Sequence, residues 1–136
     1  MFFEEKNKDG IEDLSKVAAL LIHAAKIDEK YSDHEEEIIK KTLSEIGAES
    51  INVEKIIEKG KKIEADSNQI LEFTKKVKNM AEQNKLKIVE SLWKIIYSNK
   101  EADIYETSLM RRLAGLLYID NKIMGDIKEK IKKENS

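Results

Sequence analysis

The chain has 136 residues, about one domain's worth and enough to bury a core without disulfide or metal staples. Charged residues make up 38% and hydrophobic residues 40%, so a folded core under a charged surface is expected rather than a disordered chain. The absence of proline, with only five glycines, argues against strand-rich folds that need many tight turns; the absence of cysteine excludes disulfides, thiolate metal sites and cysteine nucleophiles.

The net charge of −2 hides an asymmetry. Residues 1–68 carry 11 Lys/Arg against 17 Asp/Glu, and residues 69–136 carry 14 against 10, so the halves stand at −6 and +4. Such a split can steer a partner or pair the halves with each other. Neither half is strongly basic and no basic–aromatic stretch occurs, so nucleic acid is not expected as a partner. No apolar run approaches the roughly 20 residues that span a bilayer. The start, Met1-Phe2-Phe3-Glu4-Glu5, lacks the basic and apolar regions of a secretory leader. A cytoplasmic protein with no transmembrane segment is expected.

Helical periodicity runs through most of the chain. The first helix is predicted from near Ile11 to Ile27, with Leu14, Val17, Ala18, Leu21, Ala24 and Ala25 inward. The second spans Asp33 to Ile46, stopped by Gly47, which accepts the left-handed backbone after a helix. Asn52 can cap a third through Glu64, weakened at Gly60 by about 1 kcal/mol relative to alanine. Ser67 or Asn68 can cap a fourth, Asn84 can start a fifth bearing Leu92 and Trp93, and a sixth runs from Asp103 to Leu117. Asp120 caps a short last helix. The expectation is an all-α, single-domain helical bundle of about six to seven helices: an N-terminal tip over 1–10, the helical domain over 11–128 and a charged tail over 129–136. The apolar pair Phe2 and Phe3 in the tip can dock on the bundle, on a partner or on a membrane surface.

An internal repeat stands out within this series. Sliding the chain by 71 residues lays Asp28 on Asn99, Ser32 on Asp103 and Glu35 on Glu106. Each copy is a hydrophobic helix, a short acidic loop and a second helix, which makes two pseudo-symmetric helix–acidic loop–helix units. Local physics accounts for part of the pattern. Ser32-x-x-Glu35 and Asp103-x-x-Glu106 both fit a capping box, in which the first side chain accepts from a backbone N–H and the glutamate reaches back. The second reading is a cation site. Hard divalent cations take several oxygen ligands, and Asp28, Ser32 and Glu35 in one copy and Asn99, Glu101, Asp103 and Glu106 in the other supply oxygens. The spacing is not that of an EF-hand.

The same residues carry a family resemblance. Ala25-Lys26-Ile27-Asp28 with Ser32-x-x-Glu35, then Leu92-Trp93-x-x-x-Tyr97-Ser98-Asn99 with Glu101-x-Asp103-x-x-Glu106, resemble the doubled motif of the TerB-like tellurite-resistance family. The run from Leu109 through Arg111-Arg112-Leu113-Ala114 to Tyr118 looks like that family's arginine-bearing helix. The resemblance spans roughly Leu14 to Lys128. It implies a bundle of about seven helices and a role in metal binding or stress response at the inner face of the membrane, with peripheral association. The sequence departs from the pattern where Glu29 and Lys100 replace loop glycines, Asn99 an aspartate and Ser32 a loop acid. Lys100 would oppose a cation in the second loop directly.

Other chemistry is thin. His23 reads as a partly buried packing residue and His34 as exposed; the sequence holds no Ser/His/Asp order, phosphate loop, His-Glu-x-x-His or di-iron motif. Trp93 and Tyr97, four residues apart, read as core packing. Arg111 and Arg112 are the chain's two arginines; they read as partners for loop acids such as Glu35 or Glu106, or as contacts for an anionic partner. The expected function is a non-enzymatic interaction domain that binds a divalent cation through its loops and recruits a protein partner. The alternative is a structural adaptor or homodimer whose acidic loops are only helix caps.

Overall fold

The computed structural model describes residues 2–27, 32–66, 70–99 and 104–134. Among them are seven α-helices and no strand: α1 (Phe2–Ala25), α2 (Asp33–Glu45), α3 (Val53–Asp66), α4 (Ile70–Lys78), α5 (Glu82–Ile96), α6 (Ile104–Leu116) and α7 (Asn121–Glu134). No helix among the described residues is long and apolar enough to cross a membrane.

The all-α expectation holds, and the boundaries differ in instructive ways. α1 begins at Phe2 rather than near Ile11, because the charged stretch before Ile11 continues the helix without carrying an apolar stripe that periodicity could reveal. Asn52, expected to cap α3, instead closes a single 3₁₀ turn (Ser50–Asn52) whose end leads straight into Val53. α5 starts two residues before Asn84: the Ala81 carbonyl accepts from the N–H groups of both Asn84 and Lys85 at 3.0 Å, so Asn84 lies inside the first turn. Asp120 does cap α7, its Oδ1 accepting from the Lys122 N–H at 2.9 Å. That helix then runs on through the charged stretch to Glu134 and buries Ile131. Ser67 and Asn68 lie outside the described residues.

α1 is the axis of the bundle. From Val17 to Ala25 every residue but His23 is buried, since α2, α3, α4 and α5 all pack on it. Alanines at 18, 19, 24 and 25 let these neighbours approach closely. α3 comes nearest. A Cβ built on Gly60 would lie 2.8 Å from the Ala18 Cβ and 3.2 Å from the Ala19 nitrogen and the Ser15 carbonyl oxygen. Gly60 therefore exchanges helix propensity for contact, and its occurrence in mid-helix is explained by packing. α5 is the second buried helix, presenting Ile88, Leu92, Ile95 and Ile96 inward. Across the α2–α5 seam the buried hydroxyls of Thr42 and Ser91 meet, and each also lies within hydrogen-bonding distance of the carbonyl four residues before it.

The repeat extends well past the loops. α2 ends in a Schellman motif: Ala48 N–H donates to the Leu43 carbonyl at 2.8 Å and Gly47 N–H to that of Ser44 at 3.3 Å, with Gly47 at φ +119°. At the same offset of 71, α6 ends with the same pair of hydrogen bonds: Ile119 N–H donates to Ala114 at 3.0 Å and Tyr118 N–H to Gly115 at 3.3 Å, with Tyr118 also at positive φ, +55°. Buried Val53 at the start of α3 falls on buried Met124 in α7, and Gly60 on Ile131. The duplicated unit is thus three helices, α1–α3 and α5–α7, with α4 between them.

Gly60→Ala should lower stability by about 1–2 kcal/mol, overpacking against rigid α1 backbone outweighing the gain in propensity. Gly125→Ala, where an added Cβ meets nothing within 4 Å, should raise it by roughly 0.5–1 kcal/mol. Denaturant melts of the two variants, read at constant m-value, check the contrast.

Candidate functional site

α2 is entered through Ser32, whose extended backbone (φ −92°, ψ 165°) marks it as an N-cap. Its Oγ accepts from the Glu35 N–H at 3.2 Å, and Glu35 Oε1 accepts in return from the Ser32 N–H at 2.9 Å and from the Ser32 hydroxyl at 3.1 Å. This is the capping box expected from Ser32-x-x-Glu35. Glu35 is only 2% exposed, so the box is built on a carboxylate taken out of water. Burying a carboxylate is costly unless hydrogen bonds or cations offset the lost hydration, and the reciprocal bonds supply part of that.

Its counterpart Glu106 sits in the first turn of α6 and is equally buried, at 3%. Asn99 ends a 3₁₀ turn, Tyr97–Asn99, that prolongs α5 toward the second loop. Asp28, Glu29, Lys100, Glu101 and Asp103 lie outside the described residues. Of the expected oxygen donors, the described part of the structure thus places Ser32 and Glu35 together at one helix start and Glu106 at the other. No group of three or more His, Asp or Glu side chains that could hold a metal forms among the described residues. The donor chemistry, carboxylate and hydroxyl oxygen with no thiol in the chain, suits a hard cation.

Tyr97 links the second helix start to the core. Its ring stacks on Trp93 (centroids 5.9 Å apart, planes at 26°), and both rings are buried, as the i, i+4 spacing predicted. Burial pushes the Tyr97 phenol above its ordinary pKa, and the nearby charges of Glu129 and Glu106 push it the same way. Near the end of α1, His23 packs its ring against Phe73 with centroids 6.3 Å apart, and its Nδ1 lies 3.4 Å from Glu64 Oε2. The Glu64 carboxylate also takes the Lys26 ammonium at 2.6 Å. His23 is thus a half-buried packing residue with a carboxylate neighbour, and His34 is exposed.

Arg111 and Arg112 do not pair with Glu35 or Glu106. Both are exposed on α6 and form no ion pair among the described residues. The residue that does serve the end of α6 is one that sequence reasoning missed. Lys85, only 7% exposed, donates from Nζ to the Leu117 carbonyl at 3.1 Å and lies 3.4 Å from Glu82, placing a cation on the negative end of the helix dipole. Glu64 was missed as well. Neither contact follows a local motif, because Lys85 reaches the Leu117 carbonyl, and Glu64 reaches His23 and Lys26, across the bundle. The repeat offset could have drawn attention to Val53 and Met124, which match in burial as well as position.

The fold and this pair of helix starts define a class: an all-α bundle of two three-helix units whose second helices each bury a glutamate in the first turn. The family model described as tellurite resistance protein TerB matches residues 14–129, nearly the whole chain, and the chain belongs to that family. No curated protein and no solved structure matches it.

Ser32→Ala should cost about 1 kcal/mol by removing the cap, and Ser32→Asp should retain most of the stability, both read from thermal melts. A phenol whose pKa is raised on folding contributes stability below the unfolded value of about 10 that is lost as pH rises through the folded value. Wild type should therefore lose stability above that pH more steeply than Tyr97→Phe. The variant should also lack a tyrosinate step that wild type shows above the ordinary phenol value in an ultraviolet titration.

Proposed function

We propose that this chain is a non-enzymatic interaction domain that takes a divalent cation at its first acidic loop and recruits a protein partner in a stress response. Family membership and one structural observation support this reading: Glu35 and Glu106, related by the repeat, occupy the same position at the start of α2 and α6, and both are buried. Asp28 and Glu29 precede the buried Glu35 carboxylate by six to seven residues in the sequence, and carboxylates are the charged oxygens a hard cation needs. The second loop carries Lys100 and has Asn99 in place of aspartate, so it is the weaker site. The cation's role is to fix the loop conformation and so the surface presented to a partner.

The capping box on Ser32 and Glu35 favours one alternative, in which the loops only start helices and the domain is a structural adaptor or homodimer. The two readings separate in a titration. Calorimetry with Ca²⁺, Mg²⁺, Mn²⁺ and Zn²⁺ should give saturable heat and a raised melting temperature with at least one ion. Asp28→Asn, which leaves the capping box intact, should remove both effects. Absence of heat and of any melting shift with every ion eliminates the cation role. Sedimentation at several concentrations then tests the homodimer, which a strict monomer excludes.

A further inference from the structure

The two three-helix units differ most informatively at the seam between their second and third helices. In the first unit Lys40 of α2 and Glu54 of α3 close that seam with an ion pair of 2.8 Å. The Glu54 hydrogen bond is the main reason the Lys40 pKa is raised. Applying the repeat offset, Lys40 becomes Arg111 and Glu54 becomes Gly125. The cation is kept and its carboxylate is deleted. Two apolar fillers change with them: Leu43 becomes Ala114, and buried Ile57 becomes Lys128.

A groove of about 170 Å³ results between α6 and α7, its wall including Arg111, Gly125 and Lys128. Its floor is apolar: Trp93, Met110 and Met124 are each buried. Lys128 Nζ lies 5.6 Å from the centre of the Trp93 ring. The buried Trp93 indole N–H finds no acceptor among the described residues. A Cβ at Gly125 would enter open space, so the position can accept an incoming group.

We infer that this groove is a docking site for an acidic, apolar-flanked segment of a partner protein, whose carboxylate takes the place that Glu54 holds in the first unit. Charge complementarity selects the occupant: two cations on the wall want an anion, and the apolar floor wants a neighbouring aliphatic side chain. The guanidinium of Arg111 suits a carboxylate better than its lysine counterpart, because it can engage both oxygens at once. A highly hydrated polyphosphate would leave the apolar floor uncovered. The inference rests on the reading of this domain as an interaction module and is independent of the cation.

The test uses the full chain in a chelator-containing buffer, with the chain's one tryptophan, Trp93, as reporter. The probe is a short synthetic peptide with glutamates flanked by leucines, alongside the same peptide with glutamine for glutamate. The acidic peptide should change Trp93 fluorescence saturably, and the glutamine version should bind about tenfold more weakly or not at all. Arg111→Glu should weaken binding by about tenfold or more, and Lys40→Glu on the closed seam should leave it unchanged. Gly125→Glu, which restores the missing carboxylate, should block the peptide, while Gly125→Gln should still bind it. Circular dichroism melts confirm that each variant is folded. Equal binding of the two peptides, no binding of either, or equal behaviour of the two Gly125 variants overturns the proposal. So does preferential capture of a single-stranded oligonucleotide or anionic vesicles through Arg111. Because no cation is present, failure here leaves the cation titration standing, and failure of that titration leaves this result standing.

Discussion

A helix that buries every residue but one between Val17 and Ala25 has no water-facing side over that stretch, so other helices must enclose it. This constraint organises the bundle. α2, α3, α4 and α5 are held as a jacket around α1, and small residues on both sides set their distances. At Gly60 the jacket comes so near that a single added methyl group would touch backbone. Dense packing of this kind holds neighbouring elements in place, and here it seats α2, whose first turn Ser32 caps.

The fold class was legible in the sequence because helical periodicity, glycine placement and the lack of proline all pointed the same way. Gly47 and Asp120 were readable as a stop and a cap because each acts within one turn of itself. The enclosure of α1 was harder to see. Its apolar stripe implied one buried face, and only the assembled bundle shows that Ala19, Leu20 and Ile22 on the other faces are covered too. Gly60 looked like a weakness because its benefit lies in Ala18 and Ala19, about 40 positions away along the chain. Of the candidate site, the box on Ser32 and Glu35 could be read from spacing alone. That Glu35 and Glu106 would both be buried could not, since burial of a charge depends on what packs over it. Of the two readings of Arg111 and Arg112, pairing with Glu35 or Glu106 is not what the bundle shows, since both arginines stand exposed on α6.

Duplication followed by divergence connects these observations. The first unit is closed, with Lys40 and Glu54 paired across its seam and Lys61 lying 3.3 Å from Glu36. The second unit keeps the same helix ends, down to the left-handed residue after each Schellman motif, and changes what lies between its last two helices. Tyr118 occupies the left-handed position that Gly47 fills at no steric cost, and Lys78 Nζ sits 4.4 Å above its ring. The shared backbone geometry shows what the fold needs of each unit, and the seam, where the units part, is where one of them is available for recognition.

The substitution that relates Gly60 to Ile131 also bears on how the molecule breathes. Glycine lets α3 seat against α1 along a run that includes Val53, Ile56 and Ile57, whereas α7 buries only Met124 and Ile131 and packs chiefly on α5. Amide protons on α7 should therefore exchange with solvent through a lower-energy opening than those on α3, and those at the centre of α1 through global unfolding. The closer seat of α3 against α1 makes it the firmer of the two repeat-related helices.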